Sequence, residues 1–432
     1  MRVLVTTHAE RTHLLGLVPL AWALRAEGHE VLVAVQPRLA ATGHAAGLPV
    51  AAVGRDSQLW RVRGAVGGGD RVPGLGLAPG LGPGPGSGPA DWPVLREELE
   101  RVVPWWWRLV NDPMVDDLVG LARRWRPDLV LWGAVTFAGV VAARAAGAAH
   151  ARVLFGVDLA GRLHAAYRRE RPPEVRADPL VDWLGRTADR LGTGFDAADV
   201  LAAPTVDPLP PSLGRPDGEP PGSTGPLHPL RFVPFNGDGT LPAWLRRPPR
   251  RPRVGVSLGH SSADDPARFR DLLAGLARLG GLEVVATAPT EVRRALGPLP
   301  DTVRVEPFVP LDALAATCSV VVDHGGGGTV CTVARHGVPQ LVVPQHYDEP
   351  VLAARIERAG AGLALAPEDA TPAAVHDAVQ RLLDEEPFRS GAAALRQELL
   401  AMPGARRVAA DLTDLAGSAA GASGGQAASA SS

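Results

Sequence analysis

The chain has 432 residues, 46% of them hydrophobic and 21% charged, with a formal net charge of −2. At about 100–200 residues per domain this length calls for two domains rather than one hydrophobic core. The near-neutral balance, with arginine as the sole basic residue apart from histidine, excludes an electrostatic footprint for nucleic acid. The two cysteines, Cys318 and Cys331, both lie in apolar segments. No disulfide framework is expected, and a reducing cytoplasm is the expected compartment.

The opening MRVLVTTHAERTH breaks its apolar run too early for a secretory signal. Residues 2–6 read as a strand, residues 17–26 are apolar at helical spacing, Gly28 stops them, and residues 31–35 read as a second strand. Residues 64–89 are dominated by glycine and proline and are expected to form a mobile loop, a candidate lid over a pocket. The alternation resumes with a strand at 128–132, a helix at 137–146 and a strand at 151–156. The longest apolar stretch, 129–143, falls short of the roughly 20 residues a membrane span needs, and Gly133 splits it, so no span is expected.

Prolines and glycines dominate again from 204 to 252, predicting extended loops and a linker. Strands then follow at 253–258, 282–288, 303–309, 319–322 and 340–343, most of them separated by helical segments. Residues 391–415 read as helical, and the Ala/Gly/Ser tail 417–432 as disordered. The pattern predicts an α/β protein of two doubly wound Rossmann-like halves. The expected division is a first domain at 1–213, a linker at 214–252, a second domain at 253–400, a helix at 401–416 and the tail. Parallel sheets of this kind place ligands at the carboxyl ends of the strands, here in a cleft between the halves.

The segment DHGGGGT, 323–329, lies between a predicted strand and a predicted helix. Gly325, Gly326, Gly327 and Gly328 let the backbone approach an anion, the helix behind them offers unpaired N–H groups, and Thr329 adds a hydroxyl. His324 is placed to donate to the same phosphate. The other reading is a glycine-rich turn that serves only tight packing. The Lys-Ser/Thr ending of a P-loop is missing.

The longer stretch FVPLDALAATCSVVVDHGGGGTVCTVARHGVPQLVVPQHYDEP, 308–350, resembles the donor-site signature of nucleotide-sugar glycosyltransferases of the GT-B fold. HLLGLVPLAWALRAEGHEV, RRWRPDLVLW and DPLPPSLG resemble the actinobacterial deoxysugar transferases that decorate macrolides and other polyketide antibiotics. The resemblance implies two facing Rossmann-like domains. It implies that Phe308 packs on the nucleotide base and Val309 bonds it through the backbone, and that Ser257 and Gly259 border the phosphates. His324 through Thr329 would hold the diphosphate, and Asp348 and Glu349 would meet sugar hydroxyls. Relatives commonly carry glutamine where Glu349 stands, and a plain helix-terminal role for both carboxylates stays open. The implied donor is a dTDP-deoxysugar and the implied acceptor a hydrophobic polyketide-like molecule. A helper protein related to haem monooxygenases and a homodimer are further implied partners; no nucleic acid, membrane, metal or other cofactor is expected.

Inverting transfer needs a base for the acceptor hydroxyl, and His13, in the loop after the first strand, matches the family's catalytic histidine. Without the resemblance it reads as a capping or structural histidine first. His8 lies close by, but no carboxylate or cysteine stands at ligand spacing with the pair. Members often place an acid where this chain has Gly133; Asp158 is the substitute, either the partner of His13 or an ordinary loop aspartate. Trp105, Trp106 and Trp107 cannot share one helical face, so they divide between an aromatic acceptor wall and core packing. The sequence thus predicts an inverting, metal-independent glycosyltransferase. The alternatives are a sugar-nucleotide epimerase of the same fold and a catalytically silent partner subunit.

Overall fold

The computed structural model describes residues 1–57, 59, 91–215, 221–259 and 266–429. The expected loop 64–89, with its suggested role as a lid, lies outside the described residues. The chain divides into two compact units. The first comprises Met1–Pro208, Gly218–Leu230 and Pro403–Ser432; the second comprises Leu209–Asp217 and Arg231–Met402.

The first unit is built on a parallel sheet of seven strands. They are β1 (Arg2–Thr7), β2 (Glu30–Val35), β3 (Val50–Ala52), β4 (Leu129–Gly133), β5 (Ala149–Val153), β6 (Thr205–Asp207) and β7 (Leu227–Pro229), in the order β3-β2-β1-β4-β5-β6-β7. Apolar runs such as Val3, Leu4 and Val5 are fully buried, as a sheet covered by helices on both faces requires. The helix α1 (Arg11–Ala26) follows β1 and buries Leu14, Leu17, Val18, Leu20, Ala21 and Leu24. In the order 3-2-1-4, connections leave in opposite directions from β1 and β4, so the ends of these two strands open a crevice.

The second unit repeats the plan. Its strands are β8 (Arg253–Ser257), β9 (Glu283–Thr287), β10 (Val303–Glu306), β11 (Val320–Asp323), β12 (Gln340–Val342) and β13 (Gly362–Ala364), all parallel, in the order β10-β9-β8-β11-β12-β13. Here the reversal falls between β8 and β11. Their register pairs Asp323 with Ser257 at the carboxyl ends. Val254, Val256, Val320 and Val322 form the middle of a core closed by Phe269, Leu272 and Leu276 on one helix and Val375 and Val379 on another.

The connections differ from the expected linear division. Residues 209–215 belong with the second unit: Ser212 donates from backbone N and Oγ to Glu398 at 2.8 and 2.6 Å, and the buried Arg355 guanidinium donates to the carbonyls of Leu213 and, at 2.8 Å, Gly214. Within the expected linker, β7 returns to pair with β6 in the first sheet. Proline-rich segments carry few periodic signals, but each of these pieces finds a carboxylate, guanidinium or strand edge that satisfies its backbone. The final helix, Ala405–Ser429, returns to the first unit, where Thr413 Oγ1 lies 3.1 Å from His29 Nε2. The backbone of the tail expected to be disordered from 417 continues this helix to Ser429, as its many alanines favour.

Candidate active site

In the second unit the glycine segment sits between β11 and the helix Gly327–Ala334. Gly326 precedes that helix and its carbonyl already accepts the Thr329 and Val330 N–H groups at 2.9 and 3.0 Å, so among the described residues it is the Gly327 and Gly328 N–H groups that have no carbonyl one turn back and open the helix outward. Gly325 has φ +87°, a left-handed conformation, and a Cβ there would come within 2.9 Å of Val342 Cγ1. The His324 ring fills the space between two other glycines. A Cβ on Gly259, itself at φ +70°, would lie 2.7 Å from His324 Cε1, and one on Gly326 would lie 2.6 Å from His324 Nε2. The predicted donor residues Ser257, Gly259, His324, Gly325, Gly326, Gly327, Gly328 and Thr329 are therefore brought to the strand ends where the sheet's order reverses.

Two buried carboxyl groups accompany this loop. Asp323 accepts the Gly325 N–H at 2.7 Å through Oδ1, while its Oδ2 is buried with no partner among the described residues. Burial raises its pKa to about 7, against the pull of that N–H. Glu349 Oε2 accepts the backbone N–H groups of Gln345 and His346 at 2.7 and 2.8 Å, which pins the loop containing the left-handed Tyr347. Its Oε1 stands 3.9 Å from His324 Nε2. Burial raises Glu349 to about 8 and the charges of Asp348 and Asp323 add to the rise, outweighing the two N–H bonds. One Glu349 oxygen is thus committed to the protein. Asp348 precedes the helix Glu349–Arg358 and is also buried. Phe308 is 39% exposed, available to a planar ring, and packs beside Gly239; the Val309 side chain is buried with Leu245, Val285 and Leu314.

In the first unit, the crevice at the ends of β1 and β4 holds His8, His13, Thr136 and Gly133. His13 lies in the first turn of α1 and is partly exposed, but its Nδ1 is buried with no hydrogen-bond partner among the described residues. This leaves Nε2 as the nitrogen open to a substrate. Its ring stacks on Phe155, with centroids 3.7 Å apart and planes inclined by 16°. Burial, and then the neighbouring His8, hold its proton affinity well below the ordinary histidine value. His8 is buried, meets Thr136 Oγ1 through both backbone N (3.1 Å) and Nδ1 (3.2 Å), and is lowered by burial to about 4.

Asp158 is not brought to His13. It precedes the helix Leu159–Glu170, accepts the Gly161 N–H at 3.0 Å, and pairs in a fork with the buried Arg152 at 3.0 and 2.5 Å. The loop that was expected to supply an acid supplies the Phe155 ring instead. Nor is there room for a side chain at Gly133, where a Cβ would lie 2.9 Å from Thr7 Oγ1 and 3.3 Å from Thr136 Oγ1. The tryptophans divide as their spacing demands. In the single π-helical turn Val103–Trp107, Trp106 and Trp107 are buried, the latter 5.1 Å from the Phe137 ring, and Trp105 is 58% exposed. The expected acceptor wall at these positions is thus reduced to Trp105, the other two being core. Phe155, Thr136 and Asp323 were not singled out in the sequence; a loop aromatic and a strand-end threonine carry no spacing signal.

Among the described residues no group of three or more His, Cys, Asp and Glu is placed to hold a metal ion, and no helix is long and apolar enough to cross a membrane. The family model for the erythromycin biosynthesis protein CIII-like C-terminal domain matches residues 270–415, and that for the N-terminal domain matches 22–70 and 98–259. The chain is 41% identical over 424 residues to the 10-deoxymethynolide desosaminyltransferase of Streptomyces venezuelae, covering 96% of this chain and 97% of that one. It is 42% identical over 416 residues to the tylactone mycaminosyltransferase of Streptomyces fradiae, covering 93% and 90%. Among solved structures, the glycosyltransferase VinC in complex with dTDP matches with a TM-score of 0.82 and 36% identity, covering 96% of this chain and 99% of that one.

Proposed function

The chain belongs to the erythromycin biosynthesis protein CIII-like family and is a glycosyltransferase of the GT-B fold, and from that premise we propose that it transfers a deoxysugar from a dTDP-sugar to a hydroxyl of a hydrophobic polyketide-like acceptor, with inversion and without a metal. The observation that carries this reading is the His324 ring held between Gly259 and Gly326, where outward N–H groups open a helix at the reversal point of a parallel sheet. Such a loop meets a diphosphate with amide donors and an imidazole, the role a cation plays elsewhere. The dTDP bound to VinC and the deoxysugars in the relatives' names support the choice of donor.

The acceptor oxygen forms a bond to the anomeric carbon while the bond from that carbon to the diphosphate oxygen breaks, its electron pair leaving with dTDP. The acceptor proton passes to Nε2 of His13 and then to solvent. A single displacement of this kind inverts the carbon. Because His13 has a depressed proton affinity and no carboxylate partner among the described residues, it serves best for an acceptor whose hydroxyl is itself acidic, such as a phenol. The test is mass-spectrometric assay of the purified full chain against dTDP- and UDP-sugars and polyketide acceptors, with and without a helper protein of the haem-monooxygenase-related kind. Sugar added to the acceptor from dTDP-sugar supports the reading. Epimerised or hydrolysed donor with no acceptor product overturns it.

A further inference from the structure

We infer that Phe155 and His8 are positioning residues for His13, an aromatic clamp that holds the imidazole where no carboxylate among the described residues reaches it. The inference rests on the reading of His13 as the base. A histidine in the first turn of a helix has several open rotamers, and a base that swings among them loses its alignment with the acceptor oxygen. His13 has no hydrogen bond at Nδ1 to choose one. What it has is two rings: Phe155 lies parallel to its face at 3.7 Å, and His8 stands edge-on at 4.9 Å and 83°. Offset stacks and T-shaped pairs are the favoured arrangements of flat rings, and together they fix both the tilt and the rotation of the one between them.

The clamp is itself anchored. Thr136 Oγ1 accepts the His8 backbone N–H at 3.1 Å and lies 3.2 Å from His8 Nδ1, so the one hydroxyl fixes both the backbone and the ring of His8. Gly133 makes this possible, because a Cβ at that position would crowd both Thr7 Oγ1 and Thr136 Oγ1. Missing acid, threonine anchor and stacked rings therefore form one consistent arrangement. Its chemical consequence is a neutral imidazole whose Nε2 alone is open; His8 is the titratable neighbour that acts on it, and burial of His8 keeps that neighbour uncharged.

The experiment compares Phe155→Leu, Phe155→Tyr, His8→Asn and His13→Ala in the full chain, measuring kcat, donor KM and the pH dependence of kcat/KM. His13→Ala is the control for the underlying reading and should lose about 10²–10⁴-fold in kcat. Phe155→Leu should lose at least about tenfold in kcat with donor KM within about twofold, and its acid limb should move up toward about 6.5 as water reaches the ring. Phe155→Tyr keeps the stack and should recover most of the rate. His8→Asn should show the same upward move of the limb, so the inference stays testable if one variant folds poorly. If His13→Ala keeps the wild-type kcat, the base reading itself fails. If His13→Ala is dead while Phe155→Leu and His8→Asn keep the wild-type limb and kcat per folded molecule, the clamp is overturned and the base reading stands.

Discussion

Glu349 holds its Oε1 3.9 Å from Nε2 of His324, so an acidic group shares the loop built to receive a diphosphate. The arrangement works only if that acid is neutral when the phosphates arrive. Burial supplies the neutrality, holding Glu349 near 8 and Asp323 near 7, both above the ordinary carboxylate range.

The first prediction is a pH dependence with a definite sign. A carboxyl raised in the folded chain binds its proton more tightly there than when unfolded, so its contribution to stability is full below its unfolded value and is lost as pH rises through the folded one. Stability and dTDP affinity should therefore both fall between pH 5 and 8. His324, Asp348 and Asp323 are the titratable groups facing Glu349, and deprotonation of Glu349 adds a negative charge beside the ligand. Glu349→Gln keeps the size and removes the titration. In calorimetric titrations it should remove about tenfold of the loss in dTDP affinity toward pH 9, the equivalent of about one pKa unit of coupling. A slope identical to that of the wild type would count against this role.

Asp158 gives a second prediction, because its carboxylate is tied to buried Arg152 and to a helix start rather than to the base. Breaking a buried pair strands the other charge and costs about 3–5 kcal/mol. Asp158→Ala should lower the thermal midpoint by several degrees or more, with activity falling in proportion to the folded fraction. Circular dichroism melts alongside kinetics read both quantities. Full thermal stability with lost turnover would restore Asp158 to the chemistry.

Gln340 provides a third. It lies in β12 with its side chain fully buried, and neither its amide oxygen nor its nitrogen has a partner among the described residues. An unsatisfied buried amide costs about 1–3 kcal/mol, whereas an apolar group of similar shape does not. Gln340→Met should raise the denaturation midpoint in urea by an amount equal to about 1 kcal/mol or more. A lower midpoint would show that this amide has a partner in solution.

The paired sheets and the donor loop were legible because both rest on local patterns. Apolar runs such as VVV at 320–322 announce parallel strands, and four glycines between a strand and a helix announce close approach to an anion. The surroundings of His13 were not legible, since Phe155, Thr136 and Gly133 come from distant strands and meet only through the sheet order. Sequence reasoning looked for a carboxylate because bases usually have one, and Asp158 was the nearest acid in the right loop. Its guanidinium partner, Arg152, is on the adjoining strand, where alternation gives no hint that an arginine points into the core. The short strands β3, β6, β7 and β13 were missed because VAA, TVD, LHP and GLA lack an uninterrupted run of large apolar residues like the one that marks β12 in QLVV, 340–343.

The central claim is that the loop from His324 to Thr329 grips a nucleoside diphosphate, and isothermal titration of the full chain with dTDP tests it most directly. The account predicts saturable binding that weakens by about tenfold or more in His324→Ala, the loss of one charge-assisted contact, and also in Gly326→Ala, whose new methyl group displaces the imidazole. No heat with any nucleoside diphosphate, or equal affinity in both variants and the wild type, would contradict it.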